Sequence, residues 1–380
     1  MSEPWKKGYF ECLMGSGETA EKLDGWLEDT VTHIASPPEY VVGPSNPRPR
    51  QGPKGSIAPL EENCVPAYPS PAVFYMKILT TKGFQTNQKL DAALAYADWL
   101  DYKGLKETAG EVYHWAMDIA AEGLDVDPKK VVDLKTGVLK DAGNKYATEN
   151  LLRTSKAMGV HQVRTGDLTS ALSVFLSVLK ARRSAAPPDD LLQDNGELKP
   201  KRTLKTPAQR QRNEHPVRSQ STACEEASLM VYIGEIIFAS SSQETGLSWT
   251  RDAVDHAEIS LLQLDESQER KRLSASPSHA MQYQSTEEQC QHCIRSGLSN
   301  WKQMIRTLVV KAENEELKTM DQVNDYWFGR GPWKVTEKQT QRRRWEAEEM
   351  ILDDRATRIQ RLIGDDELSA LTSGSTMFFG

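Results

Sequence analysis

Between Leu151 and Pro187 the chain reads LLRTSKAMGVHQVRTGDLTSALSVFLSVLKARRSAAP, and no other stretch restricts the fold as strongly. Gly159, Gly166, Ala171, Phe175 and Val178 stand at offsets 0, 7, 12, 16 and 19. Two antiparallel helices approach closely only where a small residue on one meets a large residue on the other. In this reading Gly159 lets the first helix come close, Gly166 and Asp167 make the turn, Ala171 sits at the crossing and Phe175 fills the gap. The same five offsets recur upstream at Ala97, Gly104, Ala109, Tyr113 and Ala116, within residues 93–123. A looser copy begins at Gly234. Its register holds if the loop between its helices is about four residues longer (SSSQETG), which brings Thr250, Val254 and Ala257 onto the second helix.

These spacings match the packing positions of a tetratricopeptide (TPR) unit, so the expected fold is all-α, a TPR-like α-α superhelix. The copies are not tandem, and the chain divides accordingly. Residues 1–35 carry Leu23, Trp26, Leu27, Val31 and Ile34 at helical spacing and predict an amphipathic helix. Residues 36–71 hold ten of the nineteen prolines and predict an extended connector, neither helix nor central strand. Residues 72–183 hold helix pairs around a polar insertion at 124–149. A second linker, 184–220, has seven basic residues and one acid between Lys199 and Arg218. It reads as a solvated disordered insertion, or as a basic tether for an acidic partner or an anionic surface. Further helix pairs are expected over 221–320. They include a helix opening at Ser285 with the capping-box sequence Ser285-Thr286-Glu287-Glu288, after a polar loop at 266–285. Residues 321–380 combine an aromatic corner (Tyr326, Trp327, Phe328, Trp333), a charged helix and a tail.

Composition narrows the function. The net charge of −7 argues against nucleic acid as the main partner. The longest apolar runs, 171–179 and 229–239, fall well short of the ~18 residues a membrane helix needs. The opening residues lack the apolar core of a signal peptide. Five cysteines, an odd number at irregular spacing, fit a reducing compartment or buried thiols better than a disulfide framework.

Candidate chemistry is sparse. Cys290-Gln-His292-Cys293 is the only metal-like cluster, and zinc needs about four ligands. Cys224, His256 and His279 do not supply an obvious second pair. The three residues therefore read either as a metal or redox site or as thiols packed on one helix face. His114, His161 and His256 each fall in a predicted repeat helix. GSGE at 15–18 is not followed by the Lys-Thr or Lys-Ser of a phosphate loop, and neither GxSxG nor HExxH occurs.

Several stretches resemble a family of filamentous fungi: SEPWKKGYFECLMG, VVGPSNPRPR, FYMKILTTKGFQTNQKLDAALAYADWLDYKGL, VVDLKTGVLKDAG and TGDLTSALSVFLSVLKARR. The resemblance spans roughly residues 2–260. It implies a TPR-containing, mitochondrial-type protein of a kind often labelled "MFS maltose permease" in genomes. A permease of that class needs about twelve spans, which this sequence does not offer. Family members carry a targeting segment and one membrane helix ahead of the SEPW motif. Because this chain begins there, the expectation is an N-terminally truncated or soluble member. Its place is mitochondrial by resemblance, or cytoplasmic if Met1 is the genuine start.

The function expected is a non-enzymatic scaffold without a cofactor. Its concave face would hold a protein or peptide partner, lined by Gln162 and Arg164 of the second pair and Tyr232 and Glu235 of the third.

Overall fold

The computed structural model describes residues 3–52, 58–124, 126–185, 220–271, 277–325 and 333–363. It is mostly helical, with one small sheet among the described residues. Two compact units separate: one gathers the described residues up to Asp167, the other those from Leu168 onward.

The first unit opens with α1 (Glu3–Lys22), followed by β1 (Leu27–Asp29), β2 (Ala35–Ser36) and β3 (Cys64–Pro66). Then come α2 (Pro71–Thr80), α3 (Thr86–Tyr102), α4 (Lys106–Glu122), the short α5 (Pro128–Val131) and α6 (Glu149–Thr165). Helices α1 to α4 pack each on the next, and α6 packs on α4 and α3. Leu13, Tyr75, Ile78, Phe84 and Ala92 form the core between α1, α2 and α3. Gly17 is part of the reason α1 and α2 can meet. A Cβ there would lie 2.7 Å from the Tyr75 ring, and the buried Tyr75 hydroxyl donates to Glu21 at 2.6 Å.

The helix expected to carry Leu23, Trp26, Leu27, Val31 and Ile34 is corrected. α1 ends at Lys22, Gly25 takes a left-handed φ of 83°, and Leu27 enters a strand. The cause is local: Asp29 folds the chain back by accepting from the Val31 amide at 3.1 Å and the Thr32 hydroxyl at 2.8 Å. Val31 and Ile34 are left exposed. β1 is the centre of the antiparallel order β2-β1-β3, pairing Leu27 with Ser36 and with Pro66. The proline-rich stretch thus supplies an edge strand, where a missing N–H is tolerated. The Asn46 side-chain amide holds part of its loop by donating to the carbonyls of Pro38, Glu39 and Val41.

The second unit holds α7 (Leu168–Arg183), α8 (Gln220–Ser240), α9 (Gln243–Lys271), α10 (Pro277–Asp325) and α11 (Trp333–Ile363). α7 packs on α8, α8 on α9, α10 on both α8 and α9, and α11 on α10. Two sequence expectations are corrected here. The linker between α8 and α9 is Ser241-Ser242 alone, and Glu244 to Gly246 already belong to α9. Ser285 does not open a helix, because α10 is continuous from Pro277 and no glycine or proline interrupts 278–296. The polar loop expected at 266–285 is correspondingly reduced, since α9 runs on to Lys271. The basic run 199–218, the aromatic trio at 326–328 and the tail from 364 lie outside the described residues.

Candidate functional site

Apart from the exposed turn glycines Gly104 and Gly166, the packing residues read from the sequence are buried. Ala97, Ala109, Tyr113 and Ala116 lie between α3 and α4, and Gly104 makes their turn with φ 77°. Gly159 is buried in α6, which ends at Gly166 (φ 91°), while Ala171, Phe175 and Val178 are buried in α7. Helix α6 belongs to the first unit and α7 to the second, so the helix pair expected from Gly159, Ala171, Phe175 and Val178 is corrected: α6 packs on α4 and α3, and α7 packs on α8. Gly234 faces Thr250, whose Oγ1 would be 2.6 Å from a Cβ at Gly234. Val254 and Ala257 are buried further along α9. Gly246, which the spacing analysis passed over, completes this crossing by lying against the Phe238 backbone.

A charged centre occupies the first unit. Asp98 and Asp101 stand three apart on α3, and His161 and Arg164 three apart on α6, so each pair shares a helix face. Asp101 is 1% exposed. Its two carboxylate oxygens lie 2.9 and 3.0 Å from His161 Nδ1, the Tyr113 hydroxyl donates to it at 3.4 Å, and Arg164 reaches both Asp98 (2.5 Å) and Asp101 (3.4 Å). Burial, and then the Asp101 charge, push the Tyr113 phenol well above its ordinary range. Burial pulls the Arg164 guanidinium down, but pairing with Asp98 together with the Tyr113 and Asp101 charges makes the net shift upward. His161 Nε2 faces the α4 backbone, 3.3 Å from where a Gly110 Cβ would sit. The imidazole is therefore enclosed by Asp101 on one side and α4 on the other. The arrangement joins α3, α4 and α6, with the Tyr113 ring 4.9 Å from that of His161.

In the second unit Glu235 of α8 accepts a hydrogen bond from Asn300 of α10, and burial raises its carboxyl to about 7. Tyr232, one helical turn before, stacks on Phe175 at 5.3 Å. Arg182 pairs with Glu225, and Arg183 lies 3.6 Å from the buried Glu226, which His256 approaches at 3.9 Å. Thus the four residues expected to line a partner face are engaged inside their own units. Gln162 donates to the Thr136 carbonyl at 2.9 Å, Arg164 pairs with Asp98 and Asp101, Tyr232 stacks and Glu235 is bonded to Asn300.

The reading of the cysteines as buried thiols or as a mark of a reducing compartment is corrected for two of the five. Cys224 of α8 and Cys290 of α10 are joined as a disulfide, with Cα atoms 5.0 Å apart. Their separation of 66 residues carries no spacing signal, and only the packing of α8 on α10 brings them together. Cys293, one turn along, keeps its thiol and is buried. Cys290 therefore faces Cys224 and has no thiolate to share with His292 and Cys293. Among the described residues no group of three or more His, Cys, Asp or Glu side chains is gathered as metal ligands. No family model, curated protein or solved structure matches the chain. Among the described residues no helix is long and apolar enough to cross a membrane.

Two surface features complete the inventory. The long helices leave large apolar side chains exposed: Ile259 on α9, Val310, Leu317 and Met320 on α10, and Met350 and Ile351 on α11. The 124–149 insertion is an ordered loop, held by an antiparallel bridge between Val132 and Leu139 and by a 3-10 turn over Asp141–Tyr146. It borders an open cleft of about 650 Å3 lined by Asp127, Lys129, Lys130, Lys140, Lys145 and Tyr146 among others.

Proposed function

We propose that this chain is a non-enzymatic helical scaffold of TPR-like design that binds a protein or peptide partner. The observation that carries the reading is the distribution of side chains on the long helices. Ionic groups there are tied between neighbours: Lys302 to Asp353, Lys338 to Glu315 and Arg342 to Glu316 bridge α10 and α11. Val310, Leu317 and Met350 meanwhile remain in solvent. Isolated apolar side chains are ordinary on a surface, but a set spread along one helical hairpin suits an extended contact with another chain. The repeat spacing in both units, and the closed charged centre around Asp101, fit a body built for packing rather than for turnover. The resemblance to the fungal family makes mitochondria the compartment in which we propose it acts.

The test uses a photo-crosslinking amino acid at Leu317 or Met350, with Lys7 of α1 as the control position, in the full-length protein. A discrete adduct of one partner from Leu317 and Met350, absent from Lys7, is expected, and Leu317→Glu should abolish the adduct formed from position 350. Identical labelling from all three positions would overturn the reading.

A second reading, a redox protein acting through Cys290 and Cys293, draws on the Cys224–Cys290 disulfide with a further thiol one turn away. It predicts that Cys293→Ser changes the redox midpoint of that disulfide. An unchanged midpoint removes it.

A further inference from the structure

The lysine-lined cleft of the 124–149 insertion is not used by the scaffold reading and stands independently of it. Its lysines sit on a backbone that is fixed at several points. The Asp127 carboxylate caps α5 by accepting from the Lys129 amide at 3.1 Å. The Lys140 amide donates to the Val131 carbonyl at 2.8 Å, and the Lys140 ammonium donates to the Lys129 carbonyl at 2.7 Å. Val131, Val132 and Leu139 are buried beneath, and Gly143 lies against the Val131 backbone so closely that a Cβ would collide with it. On the other side, Gln162 and His114 meet the carbonyls of Thr136 and Leu134.

The 124–149 insertion as a whole is neutral, five lysines against Asp125, Asp127, Asp133, Asp141 and Glu149, but the cleft is lined by four of the lysines and by Asp127 alone of the acids. Two of those aspartates are turned to backbone amides: Asp127 at the α5 cap, and Asp133, which accepts from the Lys135 amide and has its pKa lowered by that bond. Among the described residues no carboxylate forms an ion pair with the ammonium groups of Lys129, Lys130 or Lys145. Lys145 lies 4.9 Å from the centroid of the Tyr146 ring, so an aromatic surface flanks the cations. Four ammonium groups around one cleft repel each other, and a compact multivalent anion relieves that repulsion. Lysines bind phosphate as point charges, and the volume falls in the range of about 300–1,000 Å3 typical of small-molecule sites.

We propose that this cleft binds a multiply phosphorylated small ligand, with Lys129, Lys130 and Lys145 supplying the charge and Tyr146 an apolar wall. The same chemistry is presented by a soluble polyphosphorylated metabolite and by a phosphorylated lipid headgroup, so the experiment carries both. Calorimetry of the full chain uses inositol hexakisphosphate and ATP as soluble probes. Flotation compares vesicles containing phosphatidylinositol bisphosphate with phosphatidylserine vesicles of equal charge. Saturable binding of a soluble probe at one site per chain is expected, weakening as salt is raised. Lys129→Ala/Lys130→Ala/Lys145→Ala should weaken it by at least about tenfold, whereas Lys135→Ala, in the same loop but outside the cleft, should leave it unchanged. Thermal unfolding of the triple variant confirms that it folds; should it not, Lys130→Ala and Lys145→Ala singly replace it. Flotation with the bisphosphate lipid alone, without binding of either soluble probe, supports the site with a headgroup as its ligand. Absence of any saturable binding in both arms, equal flotation on both vesicles, or equal loss in the triple and Lys135→Ala variants would overturn it.

Discussion

Glu235 is a carboxylic acid placed where its charged form is unwelcome. Burial lifts its pKa to about 7 from the ordinary carboxylate value of 4.5. Between those values the folded state binds the proton more tightly than the unfolded chain. Its contribution to stability is therefore complete below pH 4.5 and is lost as pH rises to about 7. Chemical denaturation at pH 5 and pH 8 should show that loss, on the order of 2–3 kcal/mol from this group. Glu235→Gln, which keeps an oxygen for Asn300, should flatten this part of the pH profile. A profile as steep as the parent's would refute the assignment. Glycines give a second test at this scale. Gly234→Ala places a Cβ 2.6 Å from Thr250 Oγ1 and 2.9 Å from the Gly246 carbonyl, and should destabilise by about 1–3 kcal/mol. Gly8→Ala, inside α1 with nothing within 4 Å, should stabilise by about 0.5–1 kcal/mol in the same urea titration.

Among the elements, α10 is where local signals and the observed helix diverge. A Ser-Thr-Glu-Glu sequence is a good helix start, yet a start signal inside a longer helix is only four helix-compatible residues. Ser285→Pro distinguishes the two. At the first position of a helix proline is tolerated; within the continuous α10 it should cost about 3 kcal/mol, read by circular dichroism during urea unfolding. The α10–α11 hairpin has its own logic. Trp345, Leu352 and Ile359 recur every seven residues along α11 and are all buried. Leu352→Ala should therefore cost about 2–4 kcal/mol, whereas Met350→Ala, exposed two residues away, should fall within about 0.5 kcal/mol of the parent. Beside this seam, Trp301 lies between the guanidinium groups of Arg251 and Arg355, at 5.8 and 5.7 Å from its ring centroid. Ion pairs to Glu348 and to Asp255 and Glu258 hold those arginines in turn.

For the molecule as a whole, the Cys224–Cys290 bond closes a loop of 66 residues within the second unit. Reduction should lower that unit's stability by up to about 4 kcal/mol in the chain-entropy account. Alkylation of unreduced, denatured protein should label three cysteines, Cys12, Cys64 and Cys293, and label five after reduction. Five labels without reductant would refute the bond. Part of all this was legible in the residues alone. Helicity followed from periodicity, the turns from Gly104 and Gly166, and the buried positions from the spacing of small and large side chains, because each depends on neighbours within a few residues. The cleft lysines were visible only as a polar insertion, since spacing along the chain does not reveal that a bridge between Val132 and Leu139 folds them around one space. By itself the sequence determined a predominantly helical chain and several of the small residues buried on its helices. Tertiary structure alone decided that the proline-rich stretch donates an edge strand, that α6 and α7 belong to different compact units, that Gln162, Arg164, Tyr232 and Glu235 are engaged internally, and that Cys224 meets Cys290. Each of those outcomes depends on segments distant in sequence, whose pairing is set by packing and burial and leaves no local trace.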